Sequence, residues 1–326
     1  MASHPISLTI RSRAMLVEHS ANAKADAPHA AIKRATDAVS RSLLREIVDV
    51  VAIPRHYELE PENNRLTGRW IARQLRSYGY ETHFHGEYGN VVALEPGNPV
   101  GAASQSQILV GAHYDSVPGC PGADDNASAV AAMLACAKVL ADRAPESPVC
   151  YVSFNREEDG LLGSADFVER IVAGKSLVVR EAHILEMVGC CDHRPASQSI
   201  PTGLPIQVPN CGDFLGILAN KESTAIASAI LRTAKTYRPE FPVLSLKVYG
   251  GIEKLVPVLG RSDHASFWRA DIPAVMWTDT SEFRNHHYHR ETDTPDTLDY
   301  DFLHAITQIL IATVLDSVKK QSTPAE

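Results

Sequence analysis

The sequence predicts an α/β fold in which helices cover both faces of a central, mixed and mostly parallel sheet, a three-layer α/β/α sandwich. Three observations lead to this prediction. Short apolar runs typical of buried strands alternate with segments of helical periodicity. The composition is that of a globular protein, with 44% apolar and 21% charged residues. The 326 residues contain no internal repeat and no linker, so we expect a single domain.

The N-terminal third is predicted from its polarity and from the spacing of its apolar residues. Residues 1–28 are polar and aperiodic, and we expect them to form a loosely held arm. From residue 29 to residue 51 the apolar side chains recur at helical spacing, and Pro54 ends that pattern. Further along, the patterns predict a helix at 64–79, strands at 81–85 and 90–94, and a buried strand in the run ILVGAHYD at 108–115.

The remainder of the chain alternates strand and helix, which is the pattern of a sheet with helical crossovers. Residues 190–220 contain Gly, Pro, Asn and Asp and are expected to form a long surface loop. The other predicted elements are a helix at 126–141, a strand at 149–154, a helix at 164–173, a strand at 183–187, a helix at 221–237, strands at 243–249 and 274–277, and a final helix at 300–319.

Charge and hydropathy exclude several classes of partner. The net charge of −8 and the pI near 6.0 give no basic footprint for nucleic acid or for an anionic membrane. The longest apolar run, at 127–137, is shorter than the roughly 18 residues of a transmembrane helix. The N-terminus lacks the apolar core of a secretory signal, so we expect a cytoplasmic protein unless a signal has been trimmed. Six cysteines in a chain of this size predict reduced thiols rather than a disulfide framework.

Acids and histidines follow the predicted strands at five places. Because ligands bind at the carboxyl ends of the strands in open α/β sheets, we expect these side chains to converge on one edge. Taken singly, the aspartates could cap a helix and the paired glutamates could form a solvated turn. Together they supply the His and carboxylate ligands of two divalent ions, one carboxylate bridging the pair. The stretches are His113-Tyr114-Asp115, Asp124-Asp125-Asn126, Glu157-Glu158, Glu186 and His289.

These residues lie within six motifs whose order and spacing match a known family. The motifs are GAHYDSV, PGADDNASA, FNREEDGLLGS, LEMVG, RSDHASF and NHHYHRETDTPDTLDY. From about residue 38 to residue 318 the chain resembles the M28 metallopeptidases, the co-catalytic zinc aminopeptidases. The resemblance implies the zinc-dependent exopeptidase fold, with residues 29–326 as one catalytic domain that lacks a protease-associated insert and a lid domain. Glu186 replaces the Asp of many members, as in a bacterial subgroup with the motif LEMxG.

The resemblance also implies a ligand set for two zinc ions, with Co²⁺ or Mn²⁺ as possible substitutes. Asp125 matches the bridging carboxylate. His113 and Glu186 match the ligands of one ion, and Glu158 and His289 match those of the other.

Three further residues match catalytic positions of the family. Glu157 matches the general base that activates a metal-bridging water, and Asp115 matches the residue that orients His113. Tyr288 is similar to a tyrosine that stabilises the oxyanion in some members. Asp263 and His264 are expected to shape the site from a helix start, and His286 and His287 to be loop residues.

The resemblance predicts an aminopeptidase that removes N-terminal residues from peptides with a free N-terminus. Other hydrolases of the same chemistry (a dipeptidase, a carboxypeptidase or an amide hydrolase), a single-zinc glutaminyl cyclase and a non-catalytic binding module remain alternatives. The loops at 190–215 and 250–262 are expected to set selectivity, with Phe214, Leu215, Ile217 and Leu255 as candidates for an apolar pocket. The sequence predicts no oligomeric state.

Overall fold

In the computed structural model, which describes residues 14–97 and 106–322, nine strands form one mixed sheet. Across the sheet the strands follow the order β1-β8-β7-β9-β6-β4-β5-β3-β2. The strands are β1 (Met15–His19), β2 (Glu81–His85), β3 (Asn90–Leu94), β4 (Gln107–His113), β5 (Val149–Phe154), β6 (Val179–Glu186), β7 (Leu215–Ala219), β8 (Val243–Val248) and β9 (Ala274–Thr278).

The centre of the sheet is parallel and its margins are antiparallel. Strands β9, β6, β4 and β5 run parallel to one another, and β7 runs parallel to β8. The pairs β1–β8, β2–β3, β3–β5 and β7–β9 are antiparallel. The predicted α/β fold with a mixed sheet is confirmed, and its parallel centre brings the carboxyl ends of β4, β5 and β6 to one edge.

Helices cover both faces of this sheet. One face packs against α2, α3, α4, α6 and α8 in the larger apolar core, and α5 and α7 contribute Phe167 and Phe267 to a smaller core on the other face. The helices are α1 (Ala30–Asp37), α2 (Arg41–Val51), α3 (Pro61–Ser77), α4 (Ala129–Arg143), α5 (Leu162–Phe167), α6 (Thr224–Tyr237), α7 (His264–Arg269) and α8 (Tyr300–Ser322).

The last helix, α8, is long and apolar enough to cross a membrane by length and composition alone. However, 72% of its most apolar window is buried inside the protein, where it packs against α1, α4 and α6. Its apolar surface is therefore used by the core of this domain.

The prediction that residues 1–28 form a loose arm is wrong for the part that the structure describes. Strand β1 pairs with β8 along five residues, and Met15 packs into the smaller core. The partner strand lies more than 220 residues away in the chain, so no local pattern could indicate the pairing. Residues 1–13 lie outside the described residues.

Two further differences from the sequence prediction involve whole elements rather than shifted ends. The end of the expected surface loop at 190–220 is strand β7, whose five residues all pair with β8 and four of which also pair with β9. The helical pattern at 29–51 is divided into α1 and α2, because the Ser40 side chain accepts a hydrogen bond from the Leu43 backbone N–H and caps α2. The apolar periodicity continues across this break, which conceals it in the sequence.

Candidate active site

The five predicted ligand side chains lie together at the carboxyl edge of the parallel strands. His113 ends β4 and Glu186 ends β6, while Glu158 lies in the turn after β5. Asp125 comes from the irregular segment that leads into α4, and His289 comes from the loop between β9 and α8. Short parallel strands with loops at one end therefore place residues from five distant parts of the chain in one cluster.

Asp125 lies between the two histidines and directs one oxygen to each. Its Oδ1 is 3.3 Å from His113 Nε2, and its Oδ2 is 3.1 Å from His289 Nε2. On one side Glu186 Oε2 is 3.4 Å from His113 Nε2, and on the other Glu158 Oε2 is 3.3 Å from His289 Nε2. Two groups of three ligand atoms result, each with its atoms within 4.8 Å of one another and both including Asp125.

The cluster fits cationic ligands by its charge and by its orphaned atoms. Both ring nitrogens of His113, Oδ1 of Asp125 and Oε1 of Glu158 are buried without a hydrogen-bond partner. Buried polar atoms of this kind are normally satisfied, so these atoms fit a cation bound among them. Burial alone would lower the pKa of His113, but the carboxylates of Glu186 and Glu157 raise it well above its usual value. The excess of carboxylates thus stabilises the protonated imidazole of His113, and it would stabilise bound divalent ions in the same way.

Asp115 connects the first histidine to the glutamate turn. Its Oδ1 is 3.4 Å from His113 Nδ1, and its two oxygens accept hydrogen bonds from the backbone N–H groups of Glu157 and Glu158, each at 3.2 Å. The carboxylate is fully buried. This position suits the predicted orienting role and adds a second one, because Asp115 also fixes the turn that carries Glu157.

Glu157 is buried next to the cluster without belonging to either three-residue group that contains Asp125. Its Oε2 lies 4.0 Å from His113 Nε2, beyond hydrogen-bond distance. Burial raises the pKa of Glu157 well above its usual value, and the nearby carboxylates of Glu186 and Glu158 act in the same direction against the opposing effect of His113. A glutamate that holds a proton readily is suited to accept one from water.

Tyr288 packs directly on the second histidine. Its ring is stacked on that of His289, with centroids 3.7 Å apart. The phenol oxygen accepts a hydrogen bond from Arg261 Nη2 at 2.8 Å, so its own proton is left to be donated elsewhere. Neither His286 nor His287 belongs to a ligand group of the described structure, and His287 bonds Thr292 Oγ1 at 2.9 Å instead.

Several supporting residues were missed by the sequence analysis. Asp293 accepts hydrogen bonds from the backbone N–H groups of Asp124 and Asp125, and Ser262 Oγ donates to Glu186 Oε2 at 2.6 Å. The fully buried Arg55 donates to the carbonyls of Tyr114, at 2.7 Å, and of Gly122, at 3.0 Å. Of these three residues, only Ser262 and Asp293 could have been found from the sequence, because each lies in one of the six motifs.

Asp263 and His264 lie at the start of α7, behind the cluster, as predicted. Both are fully buried, and burial raises the pKa of Asp263 to about 7. Neither residue contributes to a ligand group of the described structure. Their position agrees with a role in shaping the site.

A cavity of about 580 Å³ opens from the cluster along the sheet, and we call it the apolar cleft. Phe214 lines it, as the sequence suggested, and Ile217 also borders it although its side chain belongs to the larger core. The other two candidates do not: Leu215 is buried in the larger core, and the side chain of Leu255 is 73% exposed. Of the two loops predicted to set selectivity, residues 198–208 and 258–262 contribute to the lining.

Comparison with known proteins decides the family. The sequence profile of peptidase family M28 matches residues 90–199 and 242–314, more than half of the chain. The chain belongs to peptidase family M28. This membership confirms the family and the enzyme class that the motifs predicted, and the matched segments contain all five residues of the ligand cluster.

Two relatives differ in the fraction of their own length that this chain matches. YfbL of Escherichia coli, an uncharacterised protein, is 31% identical over 71% of this chain and 72% of its own length. Aminopeptidase YwaD of Bacillus subtilis is 28% identical over 67% of this chain, which spans only 42% of that longer protein.

Solved structures share the fold of this M28 protein at low sequence identity. LapA aminopeptidase of Legionella pneumophila has a TM-score of 0.69 at 17% identity, covering 90% of this chain and 76% of its own. Porphyromonas gingivalis glutaminyl cyclase has a TM-score of 0.60 at 19% identity, covering 86% of this chain and 99% of its own. Because a peptidase and a cyclase share the fold, the activity has to be argued from the site.

Proposed function

We propose that this chain is a zinc-dependent aminopeptidase with a two-ion centre. The observation that carries the proposal is the position of Asp125, whose two oxygens face two separate His–Glu pairs. A shared carboxylate with one histidine and one further carboxylate on each side is the donor set of a two-metal hydrolase. The relative YwaD, named an aminopeptidase, supports the same activity.

The two zinc ions are assigned to the two groups in the cluster. His113 and Glu186 would hold one ion, Glu158 and His289 would hold the other, and Asp125 would bridge them. Imidazole nitrogen and carboxylate oxygen are ordinary zinc ligands, and the orphaned Nε2 of His113, which faces Asp125 and Glu186, would be satisfied in this way. When bound, zinc supplies Lewis acidity toward a carbonyl and lowers the pKa of water.

Glu157 is the proposed general base, and its surroundings explain why it suits that role. The Asp115 carboxylate holds the Glu157 backbone, so the side chain stays at the border of the cluster and the apolar cleft. Its raised pKa favours transfer of a proton from water to Glu157 Oε2 and then from Glu157 to the departing amine. Tyr288, held by Arg261, can donate its hydroxyl proton to the oxygen of the attacked carbonyl.

The experiment offers one peptide with a free and with an acetylated N-terminus to the zinc-loaded protein and follows both by mass spectrometry. We expect stepwise loss of N-terminal residues from the free peptide alone. Cleavage that ignores acetylation would assign the site to a carboxypeptidase or another amide hydrolase. The Glu157→Gln protein, loaded in parallel, controls for a contaminating peptidase.

A glutaminyl cyclase is the second candidate, favoured only by its shared fold. It needs one zinc ion, whereas both ligand groups are complete in this chain. A peptide that begins with Gln separates the two activities, because a cyclase releases only ammonia from it. Ammonia release without shortening of the peptide would overturn the aminopeptidase proposal.

A further inference from the structure

The sheet face that carries Glu186 continues across four more strands. In the strand register, Glu186 of β6 is followed by Thr278 of β9, Gly216 of β7 and Leu244 of β8. All four residues line the apolar cleft. Since neighbouring strands are about 4.8 Å apart, this row extends about 14 Å from the cluster.

A second row runs parallel to the first, two residues further from the carboxyl edge of the parallel strands. It consists of Met276 of β9, Leu218 of β7, Leu246 of β8 and Val17 of β1, which also line the cleft. Val17 lies four strands from β6, or about 19 Å across the sheet. Beyond Glu186, the two rows contain no charged side chain. The floor of the cleft is therefore a long apolar strip that begins at the ligand cluster.

Loops form the roof over this strip. The opposite face of β8 packs against α6, where Lys247 Nζ donates to Ser228 Oγ. On the cleft side the segments at 198–208 and 258–262 cover β7, β8 and β9, with Leu204, Ile206 and Val258 facing the strip. The resulting volume of about 580 Å³ falls within the range of pockets that enclose whole small ligands. It is larger than one amino-acid side chain requires.

Gly216 keeps the middle of the strip open. Its backbone does not have a positive φ, and a Cβ added there would meet Thr278 O at 3.2 Å and methyl carbons at 3.5 and 3.7 Å. The backbone φ therefore does not demand glycine, although a Cβ would be tight against the Thr278 carbonyl and would require a shift of a few tenths of an ångström. A larger side chain at this position would project into the cleft between Thr278 and Leu244.

We propose that the apolar cleft binds a long linear alkyl chain on the acyl side of the scissile amide, beyond the reach of ordinary side chains. The inference rests on the proposed amide hydrolysis at the cluster. The alkyl chain would run from Glu186 over Gly216 toward Val17. Two kinds of substrate carry such an alkyl chain: one has an N-terminal 2-amino acid with a long side chain, and the other has a fatty acyl group that lacks the α-amine.

The test is a chain-length series on the zinc-loaded full-length protein. The substrates are anilides of linear 2-amino acids with side chains of one, four, six, eight and ten carbons, and the matching fatty acyl anilides. We expect kcat/KM to rise about threefold to fourfold for each added methylene until the cleft is filled. The series that shows this rise identifies the source of the chain. Turnover of the short anilides without any rise beyond four carbons would overturn the inference and leave the proposed function intact.

Two variants test where the alkyl chain lies in the cleft. Gly216→Val should bring the ratio of long-chain to short-chain kcat/KM close to 1, whereas Val17→Phe should reduce the ratio only for the longest chains. Ala225→Val, which also introduces a β-branched valine side chain but at an exposed position on α6, is the matched control and should retain the wild-type ratio. A wild-type ratio in Gly216→Val would also contradict the proposal.

Binding separates failure of the inference from failure of the proposed function. The free 2-amino acids are titrated into the zinc-loaded protein by calorimetry. If no anilide is hydrolysed but affinity still rises with chain length, the cleft assignment holds and the hydrolase proposal fails. If neither rate nor affinity depends on length, the cleft assignment is wrong.

Discussion

Replacing Glu157 with glutamine preserves the shape of the side chain and removes its ability to accept a proton. Within the described structure the Glu157 side chain makes no hydrogen bond, and its Oε2 is 4.0 Å from His113 Nε2. The backbone bond to Asp115 is unaffected. We therefore expect both zinc ions to remain bound while kcat falls by about 10²–10⁴, equivalent to about 3–5 kcal/mol in the barrier.

The same substitution should stabilise the metal-free protein at neutral pH. Burial raises the pKa of Glu157 above its ordinary value of 4.5, so the folded protein binds this proton more tightly than the unfolded chain does. The stability that results is present at low pH and is lost as pH rises above about 4.5. Glutamine does not ionise, so the melting temperature of Glu157→Gln in chelator should exceed that of the wild type at pH 8. The difference should disappear toward pH 4.

The assay combines three measurements on the same preparations. These are kcat on a leucine anilide, zinc content per chain, and calorimetric melting from pH 4 to pH 9 in chelator. Glu169→Gln, an exposed position, controls for the loss of one carboxylate. A variant that keeps more than a tenth of wild-type kcat at equal zinc content would refute the base assignment. A variant that loses zinc would show that Glu157 is a ligand instead.

Three further predictions concern the ligand cluster and its support. Glu186→Ala should weaken one zinc site far more than the other in an equilibrium titration, and two equally tight sites would contradict the ligand assignment. In the metal-free protein, burial by itself would lower the pKa of His289, but contacts with Asp125 and Glu158 outweigh this effect and raise the pKa to about 10. The stability that this group contributes is present below about pH 6.5 and is lost as pH rises through about 10. Because His289 must lose its proton before it can bind zinc, apparent zinc affinity, measured by competition with a chelator, should increase about tenfold per pH unit from pH 7 to 9. Arg55→Met leaves buried carbonyls without donors and should lower the free energy of unfolding by about 3 kcal/mol or more in urea, whereas an effect below 1 kcal/mol would show that other donors replace it.

Much of the fold and most of the candidate site could be predicted from local sequence patterns. Strands β2, β3 and β5 have the predicted bounds, because short apolar runs between turn residues are a local signal. The convergence of His113, Glu158 and Glu186 follows from one rule, that parallel strands present their carboxyl ends at the same edge. The roles of these residues came from the family resemblance. The structure places their side chains together, while the roles themselves remain predictions.

What the sequence determined by itself is therefore the residue set and the edge of the sheet at which it lies. Only the tertiary structure decided which side chains support that set and what surrounds it. Arg55 has the charge of a surface residue in the sequence, and only its carbonyl partners, up to 67 residues away, explain its burial. Strand β1, and with it the far end of the strip at Val17, depends on a pairing with β8 between segments more than 200 residues apart. Local periodicity contains no information about such pairings, because the free energy that specifies them comes from surfaces that meet only in the folded chain.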